Sequence, residues 1–300
     1  MYRILGIGEL LWDMLPEGPR LGGAPANYTV MAGRLGDHAG VISRIGNDEF
    51  GGRALEILKP LPVDVSQLQT DPNLPTGCVT VELTEGQANY TFQQPAAWDF
   101  LELTSGWLAE VATADAVCFG SLAQRNSQSR ETIHALVKAT KPDCFRIFDV
   151  NLRAPFYTAE ILRESLKLAS VVKMNDVEVP MVLGLLELEA PGPLREKAKV
   201  LLGEFPNLTL AAVTCGGEGS LLVSPKECDE HAGIRVQVAD TIGAGDAFTA
   251  AMTHYLLRSA PLSTLNEAGN RWGSFVASQA GAMPEISEQT LRIITKEIEG

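Results

Sequence analysis

The run Asp240-Thr241-Ile242-Gly243-Ala244-Gly245-Asp246, followed by the apolar stretch Ala247 to Leu257, brings two kinds of chemistry together in seven residues. Two glycines flanking one small residue let backbone amides turn inward with no Cβ in the way, and a helix that begins there adds the positive end of its dipole. Such a turn holds an anion. Asp246 stands in the first helical turn, where its carboxylate can take a proton from a hydroxyl attacking whatever the amides hold. An anion cradle with a base beside it suits phosphoryl transfer. The same residues also read as a glycine-rich turn whose aspartate caps a helix.

Further polar groups lie at strand ends. Asp13 follows the first apolar strand in Gly8-Glu9-Leu10-Leu11-Trp12-Asp13, and Gly22-Gly23-Ala24-Pro25-Ala26-Asn27 then opens a helix, with Pro25 near its first position. A carboxylate, glycine amides and a carboxamide supply both the acceptors and the donors that sugar hydroxyls need. A plain turn and helix start is the alternative. Phe148-Asp149-Val150-Asn151-Leu152-Arg153 places polar residues where a buried strand ends, which is where open α/β sheets receive ligands.

The elements that must position these groups are legible as apolar runs. Buried strands are predicted at Ile4 to Ile7, Gly40 to Ile45, Ala116 to Phe119, Cys144 to Val150, Ser170 to Met174 and Leu208 to Val213. Helical patterns at Ala26 to Leu35, Phe50 to Leu58, Ser129 to Ala139, Thr158 to Leu168 and Pro193 to Leu202 lie between them. Alternation of this kind predicts an α/β fold with a central, mainly parallel sheet between layers of helices. Gly77 to Leu83 and Ala88 to Gln93, separated by Thr84-Glu85-Gly86-Gln87, break the alternation and read as a hairpin outside the main sheet or as an antiparallel edge extension.

The Asp240 to Asp246 string resembles the C-terminal signature D-T-x-G-A-G-D of the ribokinase-like sugar kinases, the PfkB family. Gly22-Gly23-x-Pro25-x-Asn27 resembles that family's N-terminal hallmark. The likeness runs from Gly8 to about Ala282 with motifs in family order, and the fructokinase branch is favoured by Arg20 to Asn27 together with Phe148 to Arg153. It implies one ribokinase-like, Rossmann-like three-layer domain over residues 1–300. Segments around 10–24 and 63–110 would form a small β-sheet lid, which in relatives often makes a homodimer interface.

The resemblance also implies roles. Asp246 looks like the family's catalytic base, and Gly243, Ala244, Gly245 and Asp246 like its anion hole. Asp13, Gly22, Gly23 and Asn27 look like its sugar-binding set, and Arg153 faces the substrate and phosphate region. Asn175 and Glu178 match the Asn-x-x-Glu motif associated with magnesium and phosphate, a pairing chemically sufficient because magnesium keeps several waters; Asp176 and Glu178 could equally serve a helix N-terminus by dipole. Thr214, Gly216 and Gly219 match a nucleotide loop, which doubles as a hairpin turn before Ser220 to Val223. Asn270 aligns near the nucleotide, although Arg271-Trp272 replaces the small residues common there. Relatives often respond to potassium, which the likeness places near Asp240 and the Gly281-Ala282 loop. The implied activity is ATP-dependent phosphorylation of a small sugar, first D-fructose at its terminal hydroxymethyl group, with ribose, 2-keto-3-deoxygluconate or a nucleoside as other acceptors.

Composition agrees. A formal charge of −13 with no basic cluster disfavours a nucleic-acid partner. Five cysteines, at 78, 118, 144, 215 and 228, lack metal-ligand spacing and predict buried free thiols. The N-terminus lacks the apolar core of a signal peptide, and no run is long enough to cross a bilayer, so a cytoplasmic, membrane-free protein is expected. A dinucleotide oxidoreductase is weakened because Gly6-Ile7-Gly8 is followed by Leu11 where a third small residue belongs. No Walker Gly-Lys-Ser/Thr occurs. Pairing Asp13 with Asp246 as glycosidase carboxylates leaves the amide-rich turn without a purpose. A noncatalytic sugar sensor on the same fold is the non-enzyme alternative.

Overall fold

The computed structural model describes residues 1–84 and 87–299. Among them, a large sheet is built from β1 (Arg3–Ile7), β4 (His38–Gly46), β5 (Leu68–Asp71), β8 (Ala116–Gly120), β9 (Phe145–Asp149), β10 (Val171–Asn175), β11 (Leu210–Thr214), β12 (Ser220–Val223) and β13 (Cys228–His231), with apolar runs at its centre and the polar strands β5 and β13 at its two edges. A small sheet is built from β2 (Leu11–Leu15), β3 (Gly18–Gly22), β6 (Gly77–Thr84) and β7 (Gln87–Phe92).

The large sheet runs β13-β12-β11-β10-β9-β8-β1-β4-β5, parallel from β11 to β5 and antiparallel at β12 and β13. Its central strands are apolar on both faces because helices cover both, and Ile4, Ile7, Val117, Ile147, Phe148, Val171 and Val172 have no exposed surface. One core layer lies against the helices Ser127–Lys138, Ala159–Leu168, Glu178–Leu185 and Leu194–Glu204. The other lies against Ala24–Arg34, Ala244–Leu257 and Leu262–Ala277. Helix Ala24–Arg34 approaches β1 so closely that a Cβ on Gly6 would stand 2.5 Å from the Pro25 carbonyl oxygen.

The predicted hairpin strands pair antiparallel as β6 and β7, with Thr84 and Gln87 of the expected turn paired in the strands and Glu85 and Gly86 outside the described residues. β2 and β3 fall in the 10–24 segment that the resemblance assigns to the small sheet, although the residue pattern by itself marks no strands there. They pair antiparallel with each other, and β2 pairs parallel with β6, so the small sheet is mixed and the chain enters it twice. β5, within the 63–110 segment, pairs with β4 in the large sheet. The thiols depart from expectation in part: all five are free, Cys118 and Cys144 are buried, and Cys78, Cys215 and Cys228 are only partly so. Among the described residues no helix is long and apolar enough to cross a membrane.

Candidate active site

The helix Ala244–Leu257 starts where Gly243 turns left-handed, at φ 79°, a conformation that costs a residue with a Cβ about 1–2 kcal/mol. A Cβ there would also stand 2.5 Å from the Ala282 Cβ, so glycine is required twice over. No side chain caps this helix. The Ala244 amide donates to the Thr241 carbonyl at 3.3 Å, while the Gly245 and Asp246 amides of this first turn have no intrahelical acceptor and are open to an anion.

Asp246 occupies that turn without capping it: its Oδ2 accepts the Nδ2 proton of Asn27 at 2.8 Å. Asn27 comes from helix Ala24–Arg34, which begins at Gly23, where φ is 110° and a Cβ would meet the Glu9 carbonyl oxygen at 2.5 Å. Two helix starts are thereby joined. Burial pushes the Asp246 carboxyl up to about 6, with the Asp149 charge adding to the rise and the Asn27 bond, Lys173 and Arg153 opposing it.

Asp13 sits on β2, in register opposite Arg20 of β3. A Cβ on Gly22 would stand 2.6 Å from Asp13 Oδ2, so this glycine leaves room for the carboxylate. Burial raises the Asp13 carboxyl to about 6, against the Arg153 charge and with help from Asp240. Arg153 is exposed, and its guanidinium donates to its neighbour's carbonyl, Leu152, at 3.1 Å. Its charge acts on Glu9, Asp13 and Asp246 alike. Asp13, Asn27, Arg153 and Asp246 thus share one electrostatic neighbourhood.

Two groups in that neighbourhood escaped the sequence reading. Glu9 is 3% exposed, burial pushes its carboxyl up to about 7, and among the described residues its Oε2 has no hydrogen-bond partner; nor has Asn27 Oδ1. Lys173 lies under the glycine turn, its Nζ 2.9 Å from where a Cβ on Gly245 would be and 3.2 Å from Asp149 Oδ1. Asp149 Oδ2 also accepts from Thr249 Oγ1 at 3.1 Å. Desolvation pulls the Lys173 ammonium down, but Asp149, Glu178 and Asp246 outweigh it and leave its pKa raised. The signal was present: a lysine between Val172 and Met174 in a buried strand needs an anion, and an acid between Gly8 and Leu10 needs a reason to be there.

Glu178 is buried. Its Oε1 accepts from the Leu152 amide at 2.7 Å and its Oε2 from the Asn175 amide at 2.8 Å, while Asn175 Oδ1 accepts the Glu178 amide at 2.8 Å. This reciprocal pair closes a helix start and ties the loop after β9 to the end of β10. Among the described residues no three His, Cys, Asp or Glu side chains gather as a metal cluster. Each Glu178 oxygen keeps one further acceptor direction, which fits a cation held through water better than one held directly.

The loop after β11 is both a hairpin turn and an open ledge. A Cβ on Gly216, at φ 55°, would have nothing within 4 Å of it, whereas one on Gly219, at φ 92°, would stand 1.9 Å from the His231 carbonyl oxygen. Gly216 therefore faces open space and Gly219 serves a backbone contact. Thr214 Oγ1 lies 3.4 Å from the Met174 carbonyl oxygen. Asn270 points inward, its Nδ2 on Ser220 Oγ at 2.6 Å and on the Asn266 carbonyl at 2.8 Å. Trp272 is fully buried, and Arg271 pairs with Glu267 and Glu297. Asp240 is shared: its Oδ2 accepts from Arg20 Nη1 at 3.1 Å and from the Gly281 amide at 3.2 Å, and its Oδ1 from the Ile242 amide at 3.0 Å.

A model of the pfkB family carbohydrate kinases matches residues 19–289. The chain is 33% identical over 279 residues to the uncharacterized sugar kinase PH1459 of Pyrococcus horikoshii, covering 87% of this chain and 85% of that protein. It is 30% identical over 300 residues to a fructokinase of Escherichia coli, covering 93% and 94%. The structure of PH1459 in complex with ATP superimposes with a TM-score of 0.83 at 29% identity, covering 98% of this chain and 99% of that one. Fructokinase of Vibrio cholerae, in its fructose-, ADP- and calcium-bound form, gives 0.82 at 26% identity over 98% and 99%. A double mutant of that enzyme in its fructose-, ADP- and potassium-bound form gives 0.82 at 25% over 98% and 98%. A carbohydrate-kinase model covering most of the chain, a relative one-third identical over most of its length, and a ribokinase-like sheet with the glycine turn over Lys173 of its interior strand β10 agree: the chain belongs to the pfkB family of carbohydrate kinases.

Proposed function

We propose that this kinase transfers the γ-phosphoryl group of ATP to the terminal hydroxymethyl group of a small sugar, D-fructose before ribose, 2-keto-3-deoxygluconate or a nucleoside. The observation that carries the reading is the Asn27–Asp246 hydrogen bond, which sets an acid with a raised pKa at the mouth of an uncapped, glycine-led helix. The fructokinase relatives favour fructose.

In this reading Asp13, the Gly22 and Gly23 backbone and Asn27 hold the sugar. Asp246 accepts the hydroxyl proton as attack begins. The Gly243, Ala244, Gly245 and Asp246 amides receive the charge that develops on the transferred group, and Lys173, buried directly beneath, adds a fixed positive charge to the same place. Arg153, with no carboxylate partner among the described residues, is available to the incoming phosphates. Thr214 and Gly216 form the nucleotide ledge, Gly219 closes its turn against the His231 backbone, and Asn270 supports it through Ser220. Magnesium, when bound with ATP, neutralises phosphate charge; Glu178 would hold it through water, with Asn175 keeping that carboxylate in place. The small sheet is the lid over the sugar, and its edge strands β3 and β7 are where a second copy would pair.

A coupled assay of ADP release over a panel of fructose, ribose, 2-keto-3-deoxygluconate and nucleosides tests this. Fructose should give the highest kcat/KM. Sugar binding by calorimetry without ADP release would instead identify a sensor.

A further inference from the structure

We infer that the Arg20 guanidinium is the built-in cation at Asp240, clasping the small sheet to the anion turn, so that turnover does not depend on a monovalent cation at that carboxylate. The inference rests on the kinase reading above.

A carboxylate offers about four acceptor directions. Three at Asp240 are taken, two on Oδ2 by Arg20 and the Gly281 amide and one on Oδ1 by the Ile242 amide. Arg20 Nη1 also lies 3.9 Å from where a Cβ on Gly281 would stand, so the guanidinium sits against Gly281 at ordinary contact distance. That is the place where the family likeness puts potassium. An arginine side chain stays charged at any working pH and donates from a fixed planar fork, which makes it a permanent occupant.

The pair also spans the site. Arg20 belongs to β3 and stands across from Asp13 in register, yet its partner is Asp240, 220 residues away in sequence. Asp240 in turn fixes the Ile242 amide, one residue before Gly243, and Gly243 packs against Ala282. A displacement of β3 is therefore felt on one side at Asp13 and on the other at the turn that opens the helix Ala244–Leu257. Arg20 is a positioning residue, acting on the sugar through its strand and on the anion turn through Asp240. Because the Arg20 side chain is more than a third exposed, its removal costs little global stability, and its effect belongs in the kinetics.

The test compares the full-length enzyme in potassium chloride and in choline chloride at equal ionic strength. The wild type should keep its kcat within about twofold between the two salts, while Arg20→Met raises the sugar KM about tenfold and lowers kcat, with a melting temperature within about 2 °C of wild type. Arg20→Lys should recover most of the loss. A wild-type kcat that climbs fivefold or more with potassium overturns the inference by about 1 kcal/mol of cation-linked activation, and so does an Arg20→Met enzyme with unchanged KM and kcat. If the wild type turns over no sugar in either salt, the kinase reading fails instead. Calorimetric titration of fructose into wild type and Arg20→Met still separates the two questions: weaker binding in the variant supports the clasp, and equal binding refutes it.

Discussion

Asn27 and Asp246, 219 residues apart, meet through one hydrogen bond of 2.8 Å that ties the start of the helix Ala24–Arg34 to the start of the helix Ala244–Leu257. The bond orients the acid, and it leaves the second carboxylate oxygen to a ligand.

Asp246→Asn keeps the shape of this pair and removes the proton acceptor. It should lower kcat by about 10²–10⁴-fold, the usual worth of a general base, with the sugar dissociation constant from calorimetry little changed. An unchanged kcat would sink the assignment.

The raised pKa of Asp246, about 6, sets a pH dependence. The base works ionised, so kcat/KM should rise with pH through about 6 and level off above, whereas an ordinary aspartate would already be ionised by pH 5. A rate profile flat between pH 5 and 7 contradicts this.

Glu9 makes a prediction about stability. Its folded pKa of about 7 lies above the ordinary 4.5, so the folded state binds the extra proton between those values and stability falls as pH rises across that window. Glu9→Gln, which cannot ionise, should gain on the wild type by roughly 2–3 kcal/mol between pH 4.5 and 8, read as diverging denaturation midpoints. Parallel curves would show that Glu9 ionises freely.

Lys173→Met leaves Asp149 buried without its cation and should cost about 3–5 kcal/mol of stability along with turnover. Adding Asp149→Leu should restore most of the stability and none of the kcat. Recovery of both by the double variant would confine Lys173 to a structural role.

At the sugar end, Gly22→Ala would press a methyl group to 2.6 Å from Asp13 Oδ2, and the carboxylate must swing away. The sugar KM should rise about tenfold with kcat nearly kept, as for loss of uniform binding, and Asp13→Ala should weaken sugar binding in titration. An unaltered dissociation constant in Asp13→Ala removes it from the site.

What could be read from the chain and what could not follow from the same physics. The parallel strands were visible because helices cover both faces, so runs such as Val171-Val172 and Ile147-Phe148 are apolar without alternation. β2 and β3 were not visible, since Asp13, Gly18, Pro19 and Arg20 interrupt any period of two; the edge strand β13, Cys228-Asp229-Glu230-His231, is polar because water reaches it. The glycine turn was legible because its function constrains backbone as well as side chains. Lys173 and Glu9 were marked only as charges amid apolar neighbours, and what surrounds them, like the pairing of Arg20 with Asp240, is set by parts of the chain that only the fold brings near.

Lys173 gives the signature turn a second face. A side chain at 245 would collide with the ammonium behind it whether or not any ligand stood in front. The small residue there answers to the interior of the protein as much as to the visitor outside, and a design that transplanted the loop onto another scaffold without its hidden cation would carry over the outline and leave the electric field behind.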